Sequence, residues 1–283
     1  MARRTTTLAV QRTEQITPHM IRVVAGGPGL TGFPETPHTD RYVKILFPRP
    51  DVDYPEPFDI EAIWAALPRE QWPATRTYTV RALDHAAGEL TIDFVHHGDS
   101  GLAGPWAAAA RPGDVLRLLG PGGAYTPDPA ADWHLLVGDE SALPAIGAAC
   151  ERIPAGVPVL ALLEVADESE RQPLTGPDGL DVRWFHRQGG RPNQVLDALR
   201  GTVLPPGRVH AFVHGEAGLV RDVRRHLVGE RGVDRETLSV SGYWRRGRDD
   251  EEWRAEKAAE RAAEKVAELG ATADRPRRSA VAG

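Results

Sequence analysis

The feature that most constrains the fold is a change of rhythm near residue 127. Before it, six short β-type runs are broken by Gly and Pro: TLAVQRTEQI, HMIRVVAG, RYVKILFP, RTYTVRALD, GELTIDFVHH and DVLRLLG. Runs of this kind predict an antiparallel barrel or sandwich. After the linker GPGGAYTPDPAADW the apolar runs become continuous, in WHLLV, PVLALLEVA, LDVRWFH, VHAFVHG and LSVSGYW, with helical patterns between most of them. Continuous apolar strands are buried on both faces, so this alternation predicts a parallel, doubly wound α/β sheet. The expected organisation is a β-barrel domain over residues 1–127, an α/β domain over 128–248, and a C-terminal helix with a disordered tail over 249–283.

Two segments stand outside that pattern. The Pro-rich stretch PRPDVDYPEPFD and the helix-compatible IEAIWAALPREQW, between the third and fourth runs, read as a surface excursion. The tail DDEEWRAEKAAERAAEKVAEL begins acidic, and Gly270 follows it as a C-cap. Its opposite charges at spacing three, Lys257 with Glu260 and Arg261 with Glu264, predict a solvated helix with Trp253, Val266 and Leu269 available to dock.

Composition removes several functional classes. No run of eighteen apolar residues occurs, and MARRTTTLAV lacks the apolar core of a signal peptide, so a cytoplasmic protein without membrane insertion is expected. The single cysteine, Cys150, excludes an internal disulfide and any thiolate cluster, which suits a reducing compartment. A net charge of −6 gives no global attraction to nucleic acid. Lysine occurs only at Lys44, Lys257 and Lys265.

Three motif matches fail on context. Gly27, Gly29 and Gly32 spell G-x-G-x-x-G, but Pro34 and Pro37 follow, so no helix N-terminus is available for a pyrophosphate and the segment reads as a turn. Gly98-Asp99-Ser100-Gly101 looks like a protease nucleophile segment without the rest of a triad. His96 and His97 are strand neighbours with side chains on opposite faces, unsuited to one metal, and no metal site is expected.

Arg76-Thr77-Tyr78-Thr79-Val80-Arg81 is more informative. Strand alternation puts Arg76, Tyr78 and Val80 on one face and Thr77, Thr79 and Arg81 on the other. An aromatic ring beside cations can stack a planar ring system, offer a threonine hydroxyl to it and bind a diphosphate, although an ordinary amphipathic strand has the same pattern.

RTYTVR resembles the R-x-Y-T-x-R flavin motif of the siderophore-interacting proteins, ferric-siderophore reductases related to ferredoxin-NADP reductases. DFVHHGDSGLAGPWAAAARPGD resembles their second flavin segment, and GAYTPDPAADWHLLVGDESALPAI their linker and first nicotinamide-domain turn. VHGEAGLVRDVRRHL and GYWRRGRDDEE resemble two later segments, so the likeness runs in order over about residues 6–255. It implies a six-stranded barrel that holds FAD, followed by a domain for NADPH or NADH.

By the same resemblance, Tyr78 stacks on the flavin, Thr79 bonds near its N5 and N4 edge, and Arg76 with Arg81 serves the diphosphate. Asp93, Phe94, His97, Ala103 and Gly104 cradle the rest, and Tyr243 and Trp244 border the ring. Gly138, Asp139, Glu140 and Ser141, with Gly215, Glu216 and Ala217, occupy strand-to-helix turns suited to a dinucleotide. Glu164, about 25 residues beyond Asp139, stands where an acidic residue commonly takes a ribose 2′-OH, which keeps NADH open. Ferredoxin is a further donor known in the family.

The implied substrate is a ferric siderophore, met by Lys44, Arg245 and Arg246. The family's Gly-Pro-Ala turn is Gly101-Leu102-Ala103 here, and its usual arginine in the sixth strand is Gly122. No general base is required, because the chemistry belongs to FAD, and a monomer is expected. Two other functions fit the same residues: a siderophore carrier with incidental flavin, and a general flavin reductase or diaphorase.

Overall fold

The computed structural model describes residues 5–248, together with residues 253, 256 and 257. All six runs of the N-terminal part form strands: β1 (Thr6–Thr17), β2 (Met20–Gly26), β3 (Tyr42–Phe47), β4 (Ala74–Asp84), β5 (Glu89–Val95) and β6 (Val115–Gly122). They close into an antiparallel barrel in the order β1-β2-β5-β4-β3-β6, with β6 pairing back onto β1 from Thr6↔Leu118 to Ala9↔Val115. Closure removes the unpaired edges that an open sheet would present. Period-two alternation fills the interior: Leu8 and Val10, Val43 and Ile45, Ile92 and Phe94, and Leu116 and Leu118 all meet in one core.

The insert between β3 and β4 is more than a surface excursion. Asp59 caps α1 (Ile60–Ala66) by accepting from the Glu61 amide at 2.9 Å. Ile60 and Ile63, one turn apart, are fully buried with Phe58 against Leu46 of β3 and Leu119 of β6. These apolar residues give the excursion a small core of its own, which the Pro-rich composition around them concealed.

The second half forms β7 (Trp133–Asp139), β8 (Val159–Val165), β9 (Leu180–His186), β10 (Val209–Glu216) and β11 (Leu238–Trp244), in the order β11-β10-β7-β8-β9. Pairing is parallel from β10 through β7 and β8 to β9. Both faces are covered, which explains the continuous apolar runs. Leu136, Ala161, Leu163 and Phe212 pack with α3 (Leu143–Cys150). Leu135, Val137, Leu160, Leu162, Ala211 and Val213 pack with α4 (Gln194–Gly201) and α5 (Ala217–Arg225) on the other side. The chain order reverses at β7, so its C-terminal end is a switch point of the sheet.

The chain divides into two compact units, one running to Tyr243 and one from Trp244. The first holds the barrel together with the sheet. Within it, Arg81 of β4 donates to both oxygens of Glu151 at the end of α3, at 3.2 and 2.5 Å. Glu170, between β8 and β9 and 1% exposed, accepts from the Thr17 hydroxyl at 2.5 Å and the His19 amide at 3.0 Å. A buried carboxylate needs such partners, so this tie between barrel and sheet is specific. Of the expected tail helix, Trp253, Glu256 and Lys257 are helical, and the remainder lies outside the described residues. No helix among the described residues is long and apolar enough to cross a membrane.

Candidate functional site

Strand β4 places the segment 76–81 where the barrel meets the sheet. Tyr78 is half-buried against the barrel core, and its ring centroid lies 4.4 Å from that of Phe94, which is fully buried. Phe94 in turn lies 5.6 Å from Trp106 of α2 (Ala103–Ala109), so Tyr78 rests on a fixed aromatic foundation. Val80, on the same face, is buried in the core as the alternation requires. Arg76, partly buried, donates to the Thr75 carbonyl at 2.9 Å.

Thr79 faces the other way, is 7% exposed, and shares a side-chain hydrogen bond with Tyr243 of β11. The Tyr243 hydroxyl also meets His214 Nδ1 at 3.0 Å, and His214 Nε2 meets the Ser239 hydroxyl at 2.9 Å. Removal from water and the nearby charge of Asp40 push the Tyr243 phenol well above its ordinary pKa. It is therefore a neutral phenol at physiological pH.

Other residues singled out by the sequence have definite occupations. Arg81 spends its guanidinium on Glu151, so a diphosphate there would have to displace a carboxylate. Asp93 is held by both arms of Arg22, at 2.7 and 2.8 Å, and that bond raises the Arg22 pKa. Phe94 reaches the platform only through Tyr78. His97 lies on the exposed turn after β5, where partial desolvation of the ring and then the positive fields of His19, Arg187 and His96 lower its pKa. Ala103 and Gly104 are buried at the start of α2, and a Cβ on Gly104 would stand 3.1 Å from the Val95 carbonyl. A larger residue there would press on β5.

At the switch point, Asp139 organises two turns at once. Its carboxylate, 1% exposed, accepts from the Ser141 amide at 2.9 Å, the Ser141 hydroxyl at 2.5 Å and the Glu216 amide at 2.7 Å. Gly215 has φ +133°, and a Cβ there would lie 2.6 Å from the Asp139 carboxylate, so both backbone and space require glycine. A Cβ on Gly138 would meet Ala142 at 2.7 Å, which lets the β7–α3 turn close tightly. Glu216 caps α5, which opens at Ala217, by accepting from the Leu219 amide at 2.9 Å.

One cation in this region escaped the sequence reading. Arg187, just past β9, bonds to Glu140 and reaches Glu164 at 3.4 Å. Desolvation opposes its charge, but Glu140, Glu164 and Asp139 outweigh it and hold its pKa above the ordinary value. Its sequence signal is a basic residue at the C-terminal end of a parallel strand, LDVRWFHR. Glu164 is thus an ion-pair partner of Arg187, in addition to standing at a strand end.

On the outer side of β3, Tyr42 and Lys44 are exposed, opposite Thr79 and Thr77 of β4. Tyr42 also pairs with Gly122 of β6, and a Cβ on Gly122 would lie 2.5 Å from the Tyr42 ring. The space beside Gly122 is therefore filled by an aromatic ring. Trp244, Arg245 and Arg246 belong to the second unit, where Arg245 pairs with Glu256 and lies 5.9 Å from the Trp253 ring centroid.

The donor set on β4 fits FAD: a half-buried ring on a rigid base, a hydroxyl next to it and a guanidinium two residues before the ring. These suit a planar heteroaromatic ring carrying an anionic chain.

Comparison with known proteins points the same way. Residues 9–125 match the model of the siderophore-interacting FAD-binding domain, and residues 131–247 that of the siderophore-interacting protein. The ferric vibriobactin reductase ViuB of Vibrio cholerae is 34% identical over 255 residues, covering 87% of this chain and 91% of that protein. An NADPH-dependent ferric-chelate reductase of Escherichia coli is 32% identical over 243 residues, covering 84% and 91%. The crystal structure of a siderophore utilization protein from T. fusca superposes with a TM-score of 0.75 at 39% identity, covering 88% of this chain and 96% of that one.

Proposed function

Because the chain belongs to the siderophore-interacting protein family, we propose that it is a ferric-siderophore reductase carrying FAD. The observation that supports this most directly is the Tyr78 ring, seated on Phe94 with Thr79 beside it at the junction of barrel and sheet. Bound FAD supplies the conversion of a two-electron hydride donor into single electrons for siderophore-held iron(III).

The chain's residues position that chemistry. Tyr78 would stack on the flavin and Thr79 would bond its N5 and N4 edge, while Arg76 would meet the diphosphate and Tyr243 would border the ring. Ala103, Gly104 and His97 shape the remainder of the site, with Asp93, Phe94 and Arg81 supporting it through Arg22, Tyr78 and Glu151. The donor is received at the C-terminal edge of the sheet, where Asp139 holds the turns Gly138–Ser141 and Gly215–Ala217 together. NADPH is the donor named for the Escherichia coli relative. NADH and ferredoxin are the alternatives, and Glu164, at the expected ribose position, is held with Glu140 by Arg187.

Lys44, Arg245 and Arg246 attract the anionic chelate. Iron(II) binds hard oxygen donors less tightly than iron(III), so reduction releases it. We place the reaction in the cytoplasm and assign it to a monomer, in keeping with the one buried thiol, Cys150, whose pKa burial pushes up to about 12.

The test is an anaerobic visible spectrum of FAD-loaded protein. Nicotinamide donor should bleach the band near about 450 nm, and a ferric siderophore should restore it. Failure to bind FAD, or bleaching that no ferric siderophore reverses, refutes the reading.

A further inference from the structure

Two electrons and one proton arrive together as hydride, yet iron accepts only electrons. Overall, one NAD(P)H and two iron(III) chelates give NAD(P)+, two iron(II) and one proton. The electrons can cross space to a chelate outside the protein, whereas the proton must leave through hydrogen-bonded groups.

Thr79 is placed to start such a route, and it is not isolated. Its side chain bonds Tyr243, Tyr243 meets His214 at 3.0 Å, and the far nitrogen of His214 meets Ser239 at 2.9 Å. Each of the four groups can donate on one side and accept on the other, which is what relaying a proton requires. Thr79 and His214 are shielded, at 7% and 4% exposed, while Tyr243 and Ser239 are partly exposed. The His214 ring is also clamped: it stacks on Phe212 with centroids 3.7 Å apart and planes 14° apart, so its two nitrogens point in fixed directions. A purely structural tie between β10, β11 and the barrel would need shape and hydrogen bonds, but no titratable group at its centre.

We propose that Thr79, Tyr243, His214 and Ser239 form a proton path leading from the flavin edge toward solvent. The proposal rests on the reductase reading above. Thr79 and Tyr243 touch the cofactor in that reading, and His214 and Ser239 act through them.

The experiment is anaerobic stopped flow of FAD-loaded, donor-reduced protein with a ferric trihydroxamate, following the flavin band together with a pH-indicator dye. His214→Ala should retain FAD affinity and donor-driven bleaching, while reoxidation slows at least about tenfold; in Tyr243→Phe, reoxidation should slow by a similar factor relative to that variant's own bleaching rate. Added imidazole should restore the rate of His214→Ala and leave wild type unchanged. In flavin-free protein, Tyr243→Phe should shift the His214 Nδ1 resonance in a nitrogen-15 spectrum. Wild-type reoxidation rates in both variants, a slow His214→Ala that imidazole does not rescue, or an unmoved Nδ1 resonance overturns the path while leaving the reductase reading intact. Wild-type protein that binds no FAD overturns both.

Discussion

Replacing Tyr78 with alanine separates the two functions of one ring. Toward the barrel, the ring packs on Phe94 at a centroid distance of 4.4 Å, an aromatic contact worth about 1 kcal/mol beyond the area it buries. The ring is only half-buried, so with its area included the loss of folding stability should be about 2 kcal/mol. Toward the flavin, loss of a stacking platform costs about 1–3 kcal/mol by analogy with nucleobases on aromatic side chains. At about 1.4 kcal/mol per tenfold, that weakens FAD binding by about 5- to 150-fold. Tyr78→Phe keeps both faces of the ring and should stay within about threefold of wild type. Quenching of FAD fluorescence by flavin-free protein gives the affinities, and urea unfolding at unchanged slope gives the stabilities. Wild-type affinity in Tyr78→Ala, or equal losses in Tyr78→Phe and Tyr78→Ala, would falsify the placement of the flavin.

Three further substitutions address other parts of the molecule. Asp139→Ala leaves the amides of Ser141 and Glu216 without their acceptor, and should cost about 3 kcal/mol in urea unfolding; an unchanged midpoint would show that the carboxylate does not tie the turns. His134 is 0% exposed with neither ring nitrogen hydrogen-bonded, and burial, then His210, lowers its pKa to about 4. The unfolded state therefore binds the proton more readily, so stability should fall as pH drops from about 6.5 toward 4, by about 3 kcal/mol in all, and His134→Leu should flatten that limb; an unaltered pH profile would contradict this. Gly122→Arg, which restores a basic side chain beside Lys44, must displace the Tyr42 ring and should cost about 1–2 kcal/mol. Adding Tyr42→Ala should recover at least about 1 kcal/mol of it, whereas additive thermal losses would show that the two side chains do not meet.

Much of the architecture was legible because it depends on local patterning. Alternation along β1 to β6 marks residues that fill a barrel, and the unbroken apolar runs of β7 to β10 mark strands covered on both sides. The segment 76–81 was legible for the same reason, since period two puts Tyr78 and Val80 on one face and Thr79 on the other. The insert's helix was expected but its burial was not, because Ile60 and Ile63 stand among prolines and charges, and only the tertiary fold brings Leu46 and Leu119 to cover them.

The partners of the candidate site's residues were not legible. Arg81 and Glu151 are 70 positions apart, and Asp139 and Glu216 are 77 apart. No local period records such distances. The first arises where α3 packs on β4, and the second because a parallel sheet collects the ends of β7, β8, β9 and β10 at one edge whatever their separation along the chain. That edge brings together Asp139, Glu140, Glu164 and Glu216 with Arg187. Carboxylates repel an anionic dinucleotide unless they are engaged, and here all four are: Asp139 by two amides and a hydroxyl, Glu140 and Glu164 by Arg187, and Glu216 by the amide it caps. The acidic residues therefore serve first to hold the turns and the Arg187 guanidinium.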